Sequence, residues 1–177
     1  MFNKKIKKES LIPSEYVEVV DSKNRPLMVL TRAEAHRQGL FHRSVLVLVY
    51  DSGNRLLIQK RHHLKKIYPG RWDLSATGHV LAGESAVDAA YRELEEEVGI
   101  IPSRIRLVTT INGRRETNFK YVYLFSAGKI TTHPDPNPLE VEDIRFIGRD
   151  DMGSLVSEFP DILTPGLVYF WEKQLLF

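Results

Sequence analysis

The feature that most constrains the fold is the run from Ser44 to Tyr50 (SVLVLVY), in which apolar and β-branched side chains dominate. Such a run predicts a β-strand that is buried on both faces, because a half-exposed strand would alternate apolar with polar side chains. Turn-forming residues follow at 51–54, and residues 55–60 are expected to return the chain as a second strand. Since helical patterns occur elsewhere in the chain, the sequence predicts a mixed α/β (α+β) fold.

Shorter segments on either side add further strands and helices. Residues 1–15 are polar and are expected to form a flexible tail. Residues 16–30 predict a hairpin, and Thr31 predicts the N-cap of a short helix that ends at Gly39. Further strands are predicted at 105–111, 121–125 and 144–147, and further helices at 152–158 and 165–176. No linker interrupts residues 16–177, which predicts a single domain.

Composition and charge limit the classes of function. The 177 residues are 42% hydrophobic and 27% charged, which is typical of a folded globular protein rather than a disordered chain. The net charge of +2 gives no reason to expect nucleic acid or an anionic membrane as a partner. The chain has no cysteine, which excludes disulfides, thiolate nucleophiles and cysteine metal ligands. The N-terminus lacks the apolar run of a signal peptide, so a cytoplasmic location is expected.

The segment that carries chemistry spans residues 78–100 (GHVLAGESAVDAAYRELEEEVGI). Within it, residues 85–99 predict a helix that begins near the serine and ends at the glycine. At about 100° per residue, this helix places Glu93, Glu96 and Glu97 in one narrow stripe. An apolar stripe beside them is expected to pack into the core, and it consists of Val87, Tyr91, Leu94 and Val98.

Three carboxylates at this spacing repel one another, at a cost of about 0.2–0.5 kcal/mol per neighbouring pair on an open helix. A hard divalent cation removes this repulsion, because Mg²⁺ accepts carboxylate oxygens together with water and phosphate oxygens. Such a cation neutralises a diphosphate and lowers the pKa of a bound water, whose proton a free carboxylate can accept. Taken alone, however, the run at residues 95–97 is more typical of a solvated helix surface.

The whole segment resembles the Nudix box, a set of glycine, glutamate, arginine and aliphatic residues at fixed spacing. All nine fixed positions match: Gly78, Glu84, Arg92, Glu93, Leu94, Glu96, Glu97, Gly99 and Ile100. The resemblance implies a mixed sheet sandwiched between helices, and a Mg²⁺ or Mn²⁺ ion held by Glu93, Glu96 and Glu97. It also implies catalytic roles for the motif carboxylates, with Glu93 as the leading candidate for the general base. Arg92 is implied to pair with Glu84, which requires the intervening loop to fold back.

A second, less specific resemblance covers residues 16 to about 100, and it is to the isopentenyl-diphosphate-isomerase-like branch of the Nudix family. It is carried by the N-terminal hairpin and by Phe41-His42-Arg43, Gln59-Lys60-Arg61, Tyr68-Pro69-Gly70-Arg71-Trp72 and Gly78-His79. The isomerases use a cysteine where this chain has Thr77, and a threonine hydroxyl cannot do the acid–base work of a thiol at neutral pH. Isomerase activity is therefore the alternative to hydrolysis. The family resemblance also makes the main-chain carbonyl of Thr77 a candidate metal ligand.

The isomerase-like branch draws metal-binding histidines from the positions of His36, His42 and His79, which implies an alternative metal site. His36 is instead expected on the surface of a helix. His42 opens the buried strand, where a structural hydrogen bond would also explain a histidine. The roles of His42 and His79 therefore stay open.

Basic residues around the Pro69-Gly70 loop are candidates for binding phosphate. We expect Lys60, Arg61 and Arg71 to contact the substrate, and Arg61 offers a guanidinium that can bind two oxygens at once. The same cluster also contains His62, His63, Lys65 and Lys66. A solvated basic loop is an equally good interpretation of this cluster.

Two further features are assigned structural roles. Tyr68 and Trp72 are expected to be packing residues, although their rings are also suited to stacking on a base. Residues 114–116 (RRE) lie between two predicted strands, where we expect a plain hairpin turn. Neither feature enters the predicted active site.

The sequence as a whole predicts hydrolysis of a diphosphate linkage in a nucleotide or nucleoside-diphosphate derivative, by attack of water at phosphorus. The expected partner is this small-molecule diphosphate, and neither nucleic acid nor a membrane is expected. The alternatives are an isopentenyl-diphosphate-isomerase-like enzyme and a non-catalytic nucleotide-binding sensor. The sequence leaves both a monomer and a homodimer open.

Overall fold

A computed structural model describes residues 15–112 and 120–177. Within these residues, nine strands form one sheet: β1 Tyr16–Val20, β2 Pro26–Thr31, β3 His42–Tyr50, β4 Leu56–Arg61, β5 Trp72–Asp73, β6 Ala76–His79, β7 Arg106–Ile111, β8 Lys120–Lys129 and β9 Val141–Ile147. The same residues form four α-helices: α1 Arg32–Arg37, α2 Ala86–Val98, α3 Arg149–Glu158 and α4 Pro165–Glu172. A 3-10 turn, Pro160–Ile162, links α3 to α4. None of these helices is long and apolar enough to cross a membrane.

Strand β3 is the centre of the sheet, and it pairs in parallel with β8 and antiparallel with β6. Its side chains alternate between two hydrophobic cores. Val45, Val47 and Val49 lie in the core under α2, whereas Leu48 lies in the core formed with α3 and α4. The predicted strand, buried on both faces, is therefore confirmed, and it begins two residues earlier than expected, at His42.

Helices cover both faces of the sheet. Leu94 and Val98 of α2 pack on one face, while Met152 of α3 and Phe170 of α4 pack on the other. Strand β4 extends the sheet by pairing antiparallel with β9 and β5. The predicted fold class, a mixed sheet sandwiched between helices, is confirmed.

The N-terminal hairpin forms as predicted, because β1 and β2 pair antiparallel around a turn at residues 21–25. The hydroxyl of Thr31 then accepts a hydrogen bond from the main-chain N–H of Glu34 at 3.2 Å, which caps α1. This short helix brings His36 to the first residue of β3. Of the predicted tail, residues 1–14 lie outside the described part of the chain.

Several elements differ from their predicted extent. Strands β5 and β6, of two and four residues, are not predicted by the sequence pattern, because both are short and partly polar, and β6 pairs with β3, which is distant in sequence. The helix predicted at 165–176 ends at Glu172, since Gln174 adopts a left-handed φ of 55°. Strand β9 begins at Val141 rather than at residue 144, because it pairs with β4 over its full length. Strand β8 and helix α3 likewise extend beyond their predicted ranges.

Candidate active site

The helix that carries the carboxylates, α2, begins and ends where the sequence predicts. Ser85 is its N-cap, and the serine hydroxyl accepts a hydrogen bond from the main-chain N–H of Asp88 at 3.1 Å. Gly99 ends the helix with a left-handed φ of 65°. A side chain at Gly99 would also meet the main-chain oxygen of Asp135 at 2.6 Å. The N-cap at Ser85 and the left-handed glycine at Gly99 therefore fix both ends of α2.

The buried face of α2 differs from the predicted one. Leu94 and Val98 are buried as expected, but Val87 is 45% exposed, so its predicted place in the core is wrong. The two alanines at residues 89–90 are buried instead, because small side chains let α2 lie close against the sheet at β6. This close approach also places Glu97 within the buried face of the helix.

Glu97 is almost fully buried, with 3% of its surface exposed. Its Oε2 accepts hydrogen bonds from Nε2 of Gln59 in β4 at 2.6 Å and from the main-chain N–H of Thr77 in β6 at 2.8 Å. Burial raises the pKa of the Glu97 carboxyl above its ordinary value, against the opposing effect of these hydrogen bonds. Glu97 thus ties α2 to two separate strands.

Glu93 lies directly over Gly78 of β6. A Cβ atom at position 78 would come within 1.8 Å of the carboxyl carbon of Glu93, so only glycine leaves room for this side chain. Burial, and then the charge of Glu97, raise the pKa of Glu93 above its ordinary value. Glu93 and Glu97 are therefore close neighbours whose charges repel each other.

Arg92 links Glu93 to the other carboxylates of the motif. Its guanidinium forms a two-point contact with Glu84, with Nε–Oε1 at 2.8 Å and Nη2–Oε2 at 3.1 Å. It also donates to Glu93 at 2.7 Å and to Glu96 at 3.1 Å. The Glu96 side chain is 56% exposed and faces solvent, whereas the Glu93 side chain is 12% exposed and Glu97 is buried.

The loop between β6 and α2 folds back on the helix. Glu84 accepts a hydrogen bond from the main-chain N–H of Leu81 at 2.9 Å. Arg92 also donates to the main-chain oxygen of His79 at 2.9 Å. These contacts bring Glu84 and Arg92 together although eight residues separate them, which is the arrangement that their proposed pairing requires.

The residues around Glu93 and Glu97 fit a divalent cation. Two carboxylates share a buried position, where water screens their mutual repulsion only weakly. In addition, Oε1 of Gln59 is buried and has no hydrogen-bond partner within residues 15–112 and 120–177. All of these candidate ligand atoms are oxygens, which Mg²⁺ and Mn²⁺ prefer as ligands. Glu93 and Glu97, with Glu96 on the solvent side, are the residues that would hold such an ion.

Two basic residues lie next to these carboxylates. Nζ of Lys65 is 3.9 Å from Oε1 of Glu97. Arg61 is held by Asp73, with Nη1–Oδ2 at 3.3 Å, and by the main-chain oxygen of Ile67 at 3.1 Å. Against the effect of burial, the charges of Lys65 and Arg61 both stabilise the Glu97 carboxylate. Of the three phosphate-binding candidates predicted from the sequence, Arg61 is the one whose charge acts on the Glu97 carboxylate.

The other two phosphate-binding candidates are held elsewhere. Nζ of Lys60 pairs with Oε2 of Glu142 at 3.1 Å. Arg71 donates to the main-chain oxygen of Leu163 at 3.2 Å and lies 5.6 Å from the ring centroid of Tyr68. The described contacts of Lys60 and Arg71 do not include the carboxylates of α2.

The aromatic residues near the Pro-Gly loop differ from each other in environment. Trp72 is part of the core with α3 and α4, in agreement with a packing role, and Arg145 lies 5.0 Å from its ring centroid. Tyr68 is half-exposed and has a left-handed φ of 50°. The predicted turn at residues 114–116 lies outside the described part of the chain.

Three histidines from separate elements meet next to Gly78: His36 of α1, His42 of β3 and His79 of β6. Nε2 of His36 lies 2.9 Å from Nε2 of His79, and one ring nitrogen of each histidine lies within 4.8 Å of the others. Nδ1 of His42 donates to the main-chain oxygen of Leu40 at 2.8 Å, which leaves Nε2 as an acceptor. That Nε2 atom is buried and has no partner in the described part of the chain. His36 lies on a largely exposed helix, as expected, but α1 turns its half-buried ring towards His42 and His79.

Lys120 and Arg32 add positive charge to this cluster, and sequence reasoning missed both. Lys120 opens β8 and pairs with His42 in the parallel register, so both side chains lie on the same face of the sheet. Burial, and then the charge of Lys120, lower the pKa of His36 to about 4 and that of His79 well below its ordinary value. A single lysine at the start of a strand forms no recognisable sequence motif. Its position beside the histidines depends on the long-range pairing of β3 with β8, which the sequence alone does not predict.

Comparison with known proteins identifies relatives of the chain. A model of the NUDIX domain matches residues 40–164. An uncharacterized Nudix hydrolase of Pseudomonas aeruginosa is 45% identical over 93 residues, which are 52% of this chain and 55% of that protein. An isopentenyl-diphosphate Delta-isomerase of Nocardia farcinica is 33% identical over 164 residues, which cover 88% of this chain and 92% of the isomerase. The match to the Pseudomonas protein thus spans about half of its length, whereas the match to the isomerase spans nearly all of it.

Solved structures share the same architecture. DR0079 of Deinococcus radiodurans has a TM-score of 0.78 at 19% identity, and the match covers 90% of this chain and 98% of that protein. The NUDIX domain of Shewanella oneidensis NrtR, solved in complex with ADP ribose, has a TM-score of 0.60 at 16% identity, with 82% of this chain and 97% of that domain covered. At these identities the likeness concerns the fold alone.

Proposed function

The chain belongs to the Nudix family, in its isopentenyl-diphosphate-isomerase-like branch, and on that premise we propose that it hydrolyses a diphosphate linkage with the help of Mg²⁺ or Mn²⁺. The proposed substrate is a nucleotide or a nucleoside-diphosphate derivative. The observation that carries the proposal is the pair of neighbouring carboxylates, the buried Glu97 and the mostly buried Glu93, with Lys65 3.9 Å from Glu97 and the charge of Arg61 acting on it. An arrangement of two carboxylates facing two basic groups suits a metal–diphosphate complex, whose parts carry both signs of charge.

The roles of the residues follow from this distribution of charge. A divalent ion, when bound, neutralises the diphosphate and makes a water more acidic. Glu93 and Glu97 hold the ion, and Glu97 is fixed in place by Gln59 and Thr77. Lys65 and Arg61 bind non-bridging oxygens of the diphosphate, and the planar guanidinium of Arg61 can bind two of them.

Glu93 is also the leading candidate for the group that accepts the proton of the attacking water. Its carboxyl oxygen is oriented by Arg92 at 2.7 Å, and Arg92 is in turn fixed by Glu84. Without a bound ion, burial and the charge of Glu97 raise the pKa of the Glu93 carboxyl, and a carboxylate with a raised pKa is a stronger base than an ordinary glutamate. Glu96, which shares the contact with Arg92, is the second candidate for this role.

An isomerase-like reaction on isopentenyl diphosphate is the second candidate function, and the histidine cluster is the observation that favours it. Three neutral imidazoles with convergent nitrogens form a donor set that can bind a divalent metal. The isomerases, however, use a cysteine at the position of Thr77, and this chain contains no cysteine. The proton transfer that depends on a thiol has no donor here, which ranks hydrolysis first.

A direct test incubates the purified protein and Mg²⁺ with nucleoside triphosphates, nucleotide sugars, dinucleoside polyphosphates and isopentenyl diphosphate. We expect turnover of at least one nucleotide, and Glu97→Gln should reduce kcat at least about a hundredfold, because one charge of the buried pair is lost. Glu95→Gln is the matched control, since Glu95 lies on the exposed side of α2.

The outcome distinguishes the candidate functions. Isomerisation of isopentenyl diphosphate without nucleotide hydrolysis would favour the second function. Binding of a nucleotide without turnover would favour a non-catalytic sensor. Unchanged turnover in Glu97→Gln would contradict the assignment of the carboxylate pair.

A further inference from the structure

We propose that His62, His63 and Glu142 form a separate surface site for a borderline divalent metal such as Zn²⁺, which fastens the loop after β4 to strand β9. One ring nitrogen of each histidine and one carboxylate oxygen of Glu142 lie within 4.8 Å of one another. This histidine–glutamate cluster shares no residue with the carboxylates of α2 or with the cluster of His36, His42 and His79. It therefore carries chemistry that the proposed hydrolysis does not use.

The donor set suits zinc better than magnesium. Imidazole nitrogen and carboxylate oxygen are ligands of Zn²⁺, whereas Mg²⁺ prefers oxygen ligands alone. The rings of His62 and His63 are stacked, with their centroids 4.2 Å apart, so the two neighbouring side chains lie on the same side of the loop. The His63 side chain is 66% exposed, which leaves the remaining coordination positions open to water.

Glu142 is already arranged as a ligand for a cation. Its Oε1 accepts a hydrogen bond from the main-chain N–H of His63 at 2.9 Å and lies 2.6 Å from Nδ1 of the same residue. These contacts hold the Glu142 carboxylate next to the imidazole of His63, where a cation would replace the shared proton.

Two existing contacts oppose binding and set its expected strength. Nζ of Lys60 lies 3.1 Å from Oε2 of Glu142, so its positive charge competes with a bound cation. Nδ1 of His62 also accepts a hydrogen bond from the main-chain N–H of Leu64 at 3.2 Å, which a metal at that nitrogen would displace. The affinity should therefore be lower than that of a closed structural zinc site, and removal of the lysine charge should increase it.

A metal at this site would act on the loop that carries Lys65. The main-chain N–H of His62 donates to the main-chain oxygen of Glu140 at 3.0 Å, and Lys65 pairs with the carboxylate of Glu140. A metal held by His62, His63 and Glu142 would add a further connection between the loop and the start of β9, beyond these contacts and the hydrogen bond from the main-chain N–H of His63 to Glu142. The consequence is a less mobile Lys65 next to Glu97.

Zinc titration by calorimetry tests the site. Compared with the unmodified protein, His63→Ala and Glu142→Gln should each lose one zinc-binding step or weaken it at least about tenfold, since each removes a ligand. His133→Ala, which removes an exposed histidine outside the cluster, should keep the step. Lys60→Met should tighten the step, because it removes the competing charge.

A second measurement locates the metal. Zinc should slow amide hydrogen exchange of residues 62–70 in the unmodified protein but not in His63→Ala. His42→Ala, which alters only the buried histidines, should leave both effects in place. Retention of every zinc-binding step at unchanged affinity in His63→Ala would overturn the proposal, as would loss of the zinc effect on residues 62–70 in His42→Ala or unchanged affinity in Lys60→Met.

Discussion

Gly78 shows how a single residue determines the geometry of the carboxylate pair. Its lack of a side chain is what allows the carboxyl group of Glu93 to lie against β6. Arg92 then holds Glu93 from the other side at 2.7 Å. The position of Glu93 therefore depends on close packing as much as on charge.

Substitution Gly78→Ala should reduce activity strongly and should destabilise the protein by about 1–3 kcal/mol, as is typical of overpacking in a well-packed region. The added methyl group would occupy the position of the Glu93 carboxyl, which must move away from Glu97. Urea denaturation and Mg²⁺-dependent turnover measure the two effects. Gly53→Ala is the control, because its nearest contact would be an ordinary 3.4 Å to Asp51. Full activity in Gly78→Ala would contradict the proposed position of Glu93.

At the residue scale, the sequence predicts contiguous motif positions well and isolated ones poorly. The contact of Arg92 with Glu84 is predictable from the motif, because both residues belong to one continuous pattern. Lys65 is only one basic residue among several in its loop, and nothing in the sequence distinguishes it from Lys60. The structure separates them, since Lys65 approaches Glu97 while Lys60 pairs with Glu142.

At the scale of elements, α2 is the helix whose ends are encoded most clearly. The N-cap at Ser85 and the left-handed Gly99 both appear in the sequence as familiar end signals. The face that α2 buries is less predictable, because it depends on how closely the helix approaches β6. Alanines at residues 89–90 permit that approach, and Val87 is left in solvent as a result.

Substitution Ser85→Ala should lower the free energy of unfolding by about 1 kcal/mol, because the main-chain N–H of Asp88 loses its acceptor. The loss should appear in urea denaturation as a lower midpoint with an unchanged slope. Ser157→Ala, an exposed serine near the end of α3, should change stability much less. Equal stability of Ser85→Ala and the unmodified protein would show that the cap contributes nothing to α2.

At the scale of the whole molecule, charges of both signs lie together at the carboxylates of α2. Lys65 lies 3.9 Å from Glu97, and the charge of Arg61 also acts on that carboxylate. The histidines lie next to Lys120, whose charge adds to the effect of burial in keeping them neutral. Without a bound cation, the two buried carboxylates are the part of this arrangement that opposes folding.

The metal-free protein should lose stability between pH 7 and pH 8. The pKa of Glu93 is raised from 4.5 to about 8 in the folded state, first by burial and then by Glu97. The folded state therefore holds a proton that the unfolded state has released, and this contribution is lost as pH rises through about 8. The slope for one such proton is at most about 1.4 kcal/mol per pH unit.

Urea denaturation in the presence of a chelator at pH 7 and pH 8 measures this loss. Histidines contribute little in this window, because the pKa of His36 is lowered to about 4 and unfolded histidines are mostly neutral above pH 7. Lys120 opposes the loss as pH approaches 8, because burial lowers its pKa to about 8 in the folded state while the unfolded lysine stays protonated. The loss of stability should therefore be steepest near pH 7. Glu93→Gln should flatten the dependence, and added Mg²⁺ should reverse it, since a cation favours the ionised carboxylates. A slope that Glu93→Gln leaves unchanged would show that another group titrates.

The hydrogen bonds that hold Glu97 limit how well the Nudix box could work outside its own fold. Two of its hydrogen bonds come from Gln59 and Thr77, which lie outside the 23 residues of the box. A synthetic peptide of residues 78–100 would contain every signature residue yet lack both anchors, and its glutamates would be hydrated and free to separate. Grafting the box onto an unrelated scaffold would therefore transfer the consensus residues but not the arrangement of glutamates that can bind a metal.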